Sequence, residues 1–355
     1  MLYQDTSRNV DVAMQRLASL SEVCSIGSSE GSPSRHPLPQ YAERVAVVGA
    51  GPAGLSASIQ LVGLGYTVTL IEELPVLGGM MAVGIPDFRL AHLRLKECIE
   101  TLHHPCLKIQ CNTRLGRDLP FTALRHNHAA ILLAIGLQRS QFLDVSGESV
   151  LRGVFPALTF LKEYHLNGRT RLQGDVIVIG GGIATIDVAR VALHAGATSV
   201  RVCYPGLLAD IVDVHAARQE GVVFLEQVLP VGLLGSEDVT VYGMHCVRVH
   251  SFGRDSFGRH CLARVPGSDF KLHTDIVIDA FGECADFSGC LDDASLNRMM
   301  LIAYPDTLDT NLQGVFAAGD VTGGYRSIQS ALEQGQRAAI SIHNYLRLHT
   351  MPSFL

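Results

Sequence analysis

The sequence predicts an α/β protein in two lobes, and three observations carry that prediction. Residues 44–72, RVAVVGAGPAGLSASIQLVGLGYTVTLIE, read as an apolar strand, a glycine turn, a helix and a second strand that ends in an acid. Residues 175–204, DVIVIGGGIATIDVARVALHAGATSVRVCY, repeat that order. Three further apolar runs, AAILLAIG (129–136), DIVIDAFG (275–282) and GVFAAGD (314–320), close on glycine, as parallel strands do when their carboxyl ends face a ligand. A chain of 355 residues, 47% of them hydrophobic, is long enough to build two cores and too long for one average domain.

Composition removes several classes of partner. The net charge is −6 with both signs mixed along the chain, so no basic stripe is present to neutralise phosphates and nucleic acid is not an expected partner. No apolar run reaches bilayer length, and MLYQDTSRNVDVAMQR is charged where a signal peptide needs an apolar centre. The expectation is a cytoplasmic protein without a membrane partner. Nine cysteines are scattered without a CxxC, Cys106 and Cys111 being the closest pair, which predicts reduced thiols and no active disulfide. His103, His104, His126 and His128 lie in a polar connecting segment without ligand spacing, so they read as surface histidines and no metal site is expected.

Along the chain, Val10, Met14, Leu17 and Leu20 give a weak helical pattern, and SIGSSEGSPSRHPLPQ (25–40) reads as a Ser/Gly/Pro linker. Residues 1–41 are therefore expected to form a mobile or loosely docked arm. In the first glycine motif, Gly49 permits the tight turn, Gly51 lets backbone approach a pyrophosphate and Gly54 lets the helix pack closely. Pro52 and Ala53 open the helix whose N-terminus faces the negative charge, and Glu72 stands where ribose hydroxyls need an acceptor. Together these make a Rossmann-like dinucleotide site. In the second motif Gly182 and Ile183 open the corresponding helix.

The C-terminal run TNLQGVFAAGDVTGGYRSIQSALEQGQRAA (310–339) has a strand ending at Gly319 and Asp320, then a helix rich in small residues with Ser327 and Ile328 at its start. It is similar to the segment of two-domain flavoproteins in which the aspartate holds the ribityl chain and the helix N-terminus points at the flavin. That similarity assigns FAD to the first lobe.

With EELPVLGGMMAVGIPDFRL (72–90) and TRLGRDLPFTALRHNHAAILLAIG (113–136), the chain resembles the glutamate synthase small subunit and its relatives, including the flavin half of dihydropyrimidine dehydrogenase. The resemblance runs from about residue 42 to about 346, and GG followed by GIPxFRL is its most specific part. It implies a FAD domain in two segments, 42–145 and 306–355, with an NAD(P)H-type domain, 146–305, inserted between them. It also implies hydride transfer between NADPH and flavin, with electrons passed onward. Carried over by position, Gly79, Met80, Arg89, Leu115 and Gly136 contact FAD beside Gly51, Glu72 and Asp320, while Phe281 and Gly282 face the nicotinamide nucleotide.

Two departures from the family pattern bear on function. Relatives ligate iron-sulfur clusters in a cysteine-rich N-terminal region, but only Cys24 precedes the flavin motif here, so no cluster is expected. In the second glycine motif, Ile183 and Thr185 replace a polar and a small residue, and Pro205–Gly206 follow Tyr204 where NADPH-using relatives carry two arginines. Three readings stay open. One is an NAD(P)H dehydrogenase acting on an acceptor protein or small molecule, with NADPH or NADH bound weakly. The second is an oxidase or dehydrogenase of a small organic substrate with a degenerate nicotinamide site. The third is a flavin-bearing subunit of a homo-oligomer or larger complex.

Overall fold

The computed structural model describes residues 6–25, 39–100, 102–141, 143–168, 171–206, 212–254, 260–288, 296–297, 300–301, 303–323 and 327–350. The described residues divide into two compact units: one lies within 139–283 and 83–86, the other within 6–82, 87–138 and 284–350.

The second of these units holds a five-stranded sheet in the order Val315–Ala317, Ala130–Leu133, Arg44–Val48, Thr67–Ile71, Leu107–Gln110. Every neighbouring pair is parallel. Its central strands are nearly continuous runs of Val, Ile, Leu and Ala because a parallel sheet is covered on both faces. Ala46, Val48, Ile131, Leu133 and Ala317 turn toward a cluster with Leu115, Leu124 and Phe287. The helices Pro52–Gly63 and Ile328–Thr350 pack on each other, and Gly335 permits the contact, since a Cβ there would lie 2.2 Å from the Ala53 carbonyl oxygen.

The N-terminal segment differs from the expected loose arm. Thr6–Ser25 is a helix that packs on Pro52–Gly63 and Ile328–Thr350. Val10, Ala13, Met14 and Leu17 are buried, and Arg16 pairs with Glu333 at 2.7 Å. The apolar stripe at positions 10, 13, 14 and 17 is a complete helical face, which the weak overall hydrophobicity of the segment obscured. The linker at 26–38 lies outside the described residues.

The other unit has its own five-stranded parallel sheet, in the order Val154–Pro156, Ile276–Asp279, Asp175–Ile179, Ser199–Tyr204, Val223–Glu226. One face is packed by the helices Ala157–Leu166, Ile183–His194 and Val212–Gln219, and the other by an antiparallel sheet. That antiparallel sheet comprises Val228–Gly235, Val241–Arg254, His260–Arg264 and Phe270–His273. The three apolar runs at 129–136, 275–282 and 314–320 do contain the strands Ala130–Leu133, Ile276–Asp279 and Val315–Ala317, all parallel. Among the described residues no helix is long and apolar enough to cross a membrane.

Leu17 is 1% exposed, so Leu17→Ala should remove about 3 kcal/mol of stability by leaving a cavity under the N-terminal helix. Chemical denaturation measures this, and an unchanged midpoint would mean the helix is undocked in solution.

Candidate functional site

In each parallel sheet the central strand, Arg44–Val48 in one and Asp175–Ile179 in the other, runs at its carboxyl end into a glycine turn, and the turns are built on the same register. Val48 pairs with Ile71 and Gly49 donates to the Ile71 carbonyl at 2.7 Å; Ile179 pairs with Cys203 and Gly180 donates to the Cys203 carbonyl at 3.1 Å. Glu72 and Tyr204, each one residue further, therefore occupy equivalent positions.

In the first turn the glycines have separate duties. Gly49 has φ +99°, and a Cβ on it would lie 2.3 Å from the Ala134 carbonyl oxygen. A Cβ on Gly54 would lie 1.8 Å from the Gly49 oxygen, so this residue lets helix and turn touch. Around Gly51 nothing stands within 4 Å of a Cβ, and Gly51 is the N-cap of the Pro52–Gly63 helix. The turn thus leaves an open cradle at a helix N-terminus, the arrangement that receives a pyrophosphate. Gly79, at φ +54°, closes one side of it, with a Cβ position 2.8 Å from the Gly51 α-carbon.

Glu72 is 5% exposed, and its oxygens accept the Ala50 amide at 2.7 Å and the Leu74 amide at 2.9 Å. These two bonds fix the carboxylate beside the cradle. Met80 begins the short helix Met80–Val83, and Arg89 is half-buried in the segment that follows. Leu115 is a core residue: its side chain packs in the cluster with Ala46, Val48 and Ile71, and its backbone forms a bridge with Leu119. Gly136, at φ +64°, follows the strand Ala130–Leu133.

At the C-terminal segment the structure refines the expected strand-Gly-Asp-helix run. Gly319 adopts φ +84° and approaches Ala53, and Asp320 opens a separate 3-10 turn, Asp320–Thr322. The long helix starts at Ile328, with the Ser327 hydroxyl accepting the Ser330 amide at 3.0 Å as its cap. Gln334, which the sequence analysis did not single out, accepts the Gly319 amide at 2.8 Å and so ties the helix to the turn. A polar residue one position before a buried glycine in an otherwise small-residue helix is the signal that marks it.

The second turn keeps its anchor and changes its reader. Gly182 caps the helix Ile183–His194, nothing stands within 4 Å of a Cβ on it, and it is exposed, whereas Ile183 is half-buried. Thr185 occupies the place of Gly54, is 1% exposed, and its hydroxyl has no hydrogen-bond partner. A Cβ on Gly180 would lie 2.4 Å from that hydroxyl, so a branched side chain stands against the turn here, where Gly54 lets helix and turn touch in the first lobe. Where Glu72 bonds the Ala50 amide, the Tyr204 ring lies on Gly181 so closely that a Cβ there would be 1.9 Å from it.

Pro205 and Gly206, directly after Tyr204, supply no charge. Gly206 is buried and its carbonyl accepts the Gln227 amide at 3.2 Å. Arg201, the nearest cation in sequence, donates to the His273 carbonyl instead. Phe281 is 56% exposed and its amide donates to Asp279 at 2.9 Å, while the Gly282 carbonyl accepts the Gln141 amide at 2.8 Å. Asp279 is an unexpected buried acid, 5% exposed. Burial pushes its carboxyl up to about 7, with the Phe281 amide offsetting part of the rise and the neighbouring Glu148 and Glu283 adding to it. An acid inside the apolar run DIVIDAFG was the available signal.

Burial pushes Cys98, Cys106, Cys111, Cys203 and Cys246 above the usual thiol range, the reverse of what a reactive thiolate needs. His128 is half-buried rather than at the surface: it contacts the Thr69 hydroxyl at 3.3 Å, and burial lowers its pKa. Among the described residues, Asp175, His273 and Asp275 place ligand-type atoms within 4.8 Å of one another. Their carboxylates are bonded within the protein, to the Ser199 hydroxyl and the Asp175 amide.

Residues 43–335 match the family model described as pyridine nucleotide-disulphide oxidoreductase. The chain belongs to this family. Its flavoproteins use FAD. The chain is 41% identical over 315 residues to the NADP(+)-dependent formate dehydrogenase subunit beta of Moorella thermoacetica, covering 87% of this chain and 44% of that one. It is 33% identical to the glutamate synthase [NADPH] small chain of Azospirillum brasilense, covering 88% of this chain and 68% of the relative. The chain spans about half the length of several such relatives, including the NADPH-Fe(3+) oxidoreductase subunit beta of Geobacter sulfurreducens, of which it covers 52%. Among solved structures, Mycobacterium tuberculosis FprA in complex with NADPH shares the fold, with TM-score 0.70 at 18% identity, covering 89% of this chain and 88% of FprA. The thioredoxin reductase of T. acidophilum does so with TM-score 0.62 at 20% identity, covering 86% of this chain and 98% of the other.

The turn geometry separates two glycines experimentally. Gly51→Val should fold with an unchanged unfolding midpoint in the cofactor-free protein, since the added atoms enter open space, whereas Gly54→Val drives a side chain into the Gly49 carbonyl and should lose several kcal/mol. Thermal unfolding of the two apo variants checks this.

Proposed function

We propose that this chain is the flavin-bearing, pyridine-nucleotide-oxidising module of an electron-transfer oxidoreductase. The observation that carries the reading is the duplicated glycine turn: two parallel sheets in one chain, each with a helix N-terminus open at its turn, and only the first with an acid reader. One dinucleotide per sheet, with different recognition, is what hydride transfer between two dinucleotides needs.

In this reading the unit of the Gly49–Gly54 turn holds FAD. The Gly51 cradle and the Pro52–Gly63 helix receive the pyrophosphate and Glu72 accepts from the ribose. Gly79, Met80, Arg89, Leu115, Gly136, Gly319, Asp320, Ser327 and Ile328 line the rest. The other unit holds the nicotinamide nucleotide at Gly182 and Ile183, with Phe281 and Gly282 facing it. FAD, when bound, supplies the acceptor for the hydride and its two electrons. The protein's own part is to bind and orient each nucleotide, and no side chain acid or base is required for the transfer itself. The nucleotide leaves oxidised, and the electrons go on to an acceptor protein or a small acceptor. The names of the relatives as beta subunits and small chains support a place in a larger complex.

Which nicotinamide nucleotide is used follows from the reader. Relatives are named for NADP(H), yet Pro205 and Gly206 offer no partner for a 2′-phosphate and Tyr204 no charge for either ribose. Loss of charge-assisted contacts worth about 1.5–3 kcal/mol each leaves little preference between NADPH and NADH.

Anaerobic mixing of the FAD-loaded protein with NADH and with NADPH should bleach the flavin band with both, at rates within about tenfold of each other, while Gly51→Val should retain no FAD. A flavin that neither nucleotide bleaches, but that a small organic substrate reduces and oxygen restores, would overturn the proposal in favour of an oxidase.

A further inference from the structure

The acid of the first turn is tied to the core by an arginine to which the hydride-transfer reading gives no part. The strands Thr67–Ile71 and Leu107–Gln110 pair up to Ile71 and Gln110, and their hydrogen bonding runs on past both ends. The Thr113 amide donates to the Glu72 carbonyl at 2.9 Å and the Asn112 amide to the Leu74 carbonyl at 3.1 Å. Arg114 follows directly. Its guanidinium lies 3.4 Å from a Glu73 carboxylate oxygen and donates to the Asp286 carboxylate at 2.6 Å, and all three side chains are half-buried. The Arg114 amide donates to the Asp118 carboxylate at 2.8 Å, which fixes the backbone from which the side chain reaches.

Asp286 is the fixed end of this link. Ala285 and Phe287, on either side of it, are buried in the cluster that holds Ala46, Val48, Ile71 and Leu115. Asp286 also accepts the Ser288 amide at 3.1 Å and the Ser288 hydroxyl at 2.6 Å. Burial raises its carboxyl, but the Ser288 bonds and the Arg114 guanidinium outweigh that and hold it below the ordinary carboxylate range. Glu73, at the other end of the link, stands directly after Glu72 in the chain.

We infer that Arg114 is a positioning residue for the adenosine ribose of FAD: by joining Glu73 to Asp286 it holds the Glu72 carboxylate where the ribose hydroxyls meet it. This rests on the reading of that unit as the flavin site. The Ala50 and Leu74 amides orient the carboxylate within its own loop, and Arg114 fixes that loop to the core. Without the guanidinium, Glu73 and Asp286 are two like charges in a half-buried place, and the segment after Glu72 is pushed away from 284–288. An arginine suits the task because its planar fork offers separate donors to two carboxylates, whereas a lysine ammonium is a point charge.

The test titrates the full chain, freed of flavin, with FAD and with its 2′,3′-dideoxyadenosine analogue, which lacks the hydroxyls that Glu72 reads. Loss of charge-assisted hydrogen bonds to a carboxylate should make the wild type prefer FAD by about thirtyfold in Kd. Arg114→Met should lower that preference to about threefold, and Arg114→Lys, which restores the charge without the fork, should bring it back to about tenfold. Asp286→Asn keeps an acceptor for Arg114 but removes the charge, so its preference should also fall between those of wild type and Arg114→Met; this second variant guards against a folding defect in the first. The ratio of the two constants is the readout, because a residue that only stabilises the fold weakens both ligands alike. A thirtyfold preference kept by Arg114→Met, whatever its absolute affinity, would overturn the positioning role and leave the flavin site intact. If the wild type binds FAD and the analogue equally well, Glu72 does not read the ribose and the inference is overturned. If the wild type binds neither, the flavin reading of the unit fails and the positioning role falls with it.

Discussion

The hydrogen bond from the Ala50 amide to the Glu72 carboxylate, 2.7 Å long and buried, joins the glycine turn to the end of the neighbouring strand and sets the geometry of the first lobe. A buried carboxylate is costly unless amides satisfy it, and here two do. Because the bond orients both partners, the turn must be narrow: Gly49 has to pass under the Ala134 carbonyl and Gly54 has to meet the Gly49 carbonyl, leaving Gly51 as the one position open to a ligand. The C-terminal helix completes the same construction, since Gly335 lets it lie against Ala53 and Gln334 holds the Gly319 amide.

The second lobe repeats the backbone of that construction without its central bond. At the register position of Glu72 stands Tyr204, and its ring packs on Gly181 where the carboxylate would reach for an amide. Thr185 fills the space of the third glycine with a hydroxyl that finds no partner. The helix N-terminus at Gly182 is still open. In the proposed reading, recognition in this lobe rests on backbone and ring contacts rather than on a charged reader at the position of Glu72.

Much of this was legible in the sequence because it is written in local patterns. The order strand, glycine turn, helix, strand needs only apolar runs and three glycines, and both turns are found where those patterns stand. The departures at Ile183, Thr185, Pro205 and Gly206 could also be read, since each changes chemistry at a fixed offset from a glycine. What escaped depends on contacts distant in the chain. The antiparallel sheet from Val228 to His273 has no glycine signature, and its pairing is set by burial against Ile177, Ile179 and Val277. The N-terminal helix looked too polar to dock because its buried face is narrow, and only the partners Pro52–Gly63 and Ile328–Thr350 give that face a use.

The central claim is that the two lobes hold two dinucleotides by different means, the first with a charged ribose reader and the second with none. Its most direct measurement is the equilibrium titration of FAD-loaded protein with NAD+ and with NADP+ under identical salt. Saturable binding of both is expected, with dissociation constants within about threefold of each other, because Pro205 and Gly206 supply no cation to distinguish a 2′-phosphate from a 2′-hydroxyl. NADP+ bound a hundredfold more tightly than NAD+ would contradict it, and would mean that a cation from elsewhere in the chain reads the phosphate.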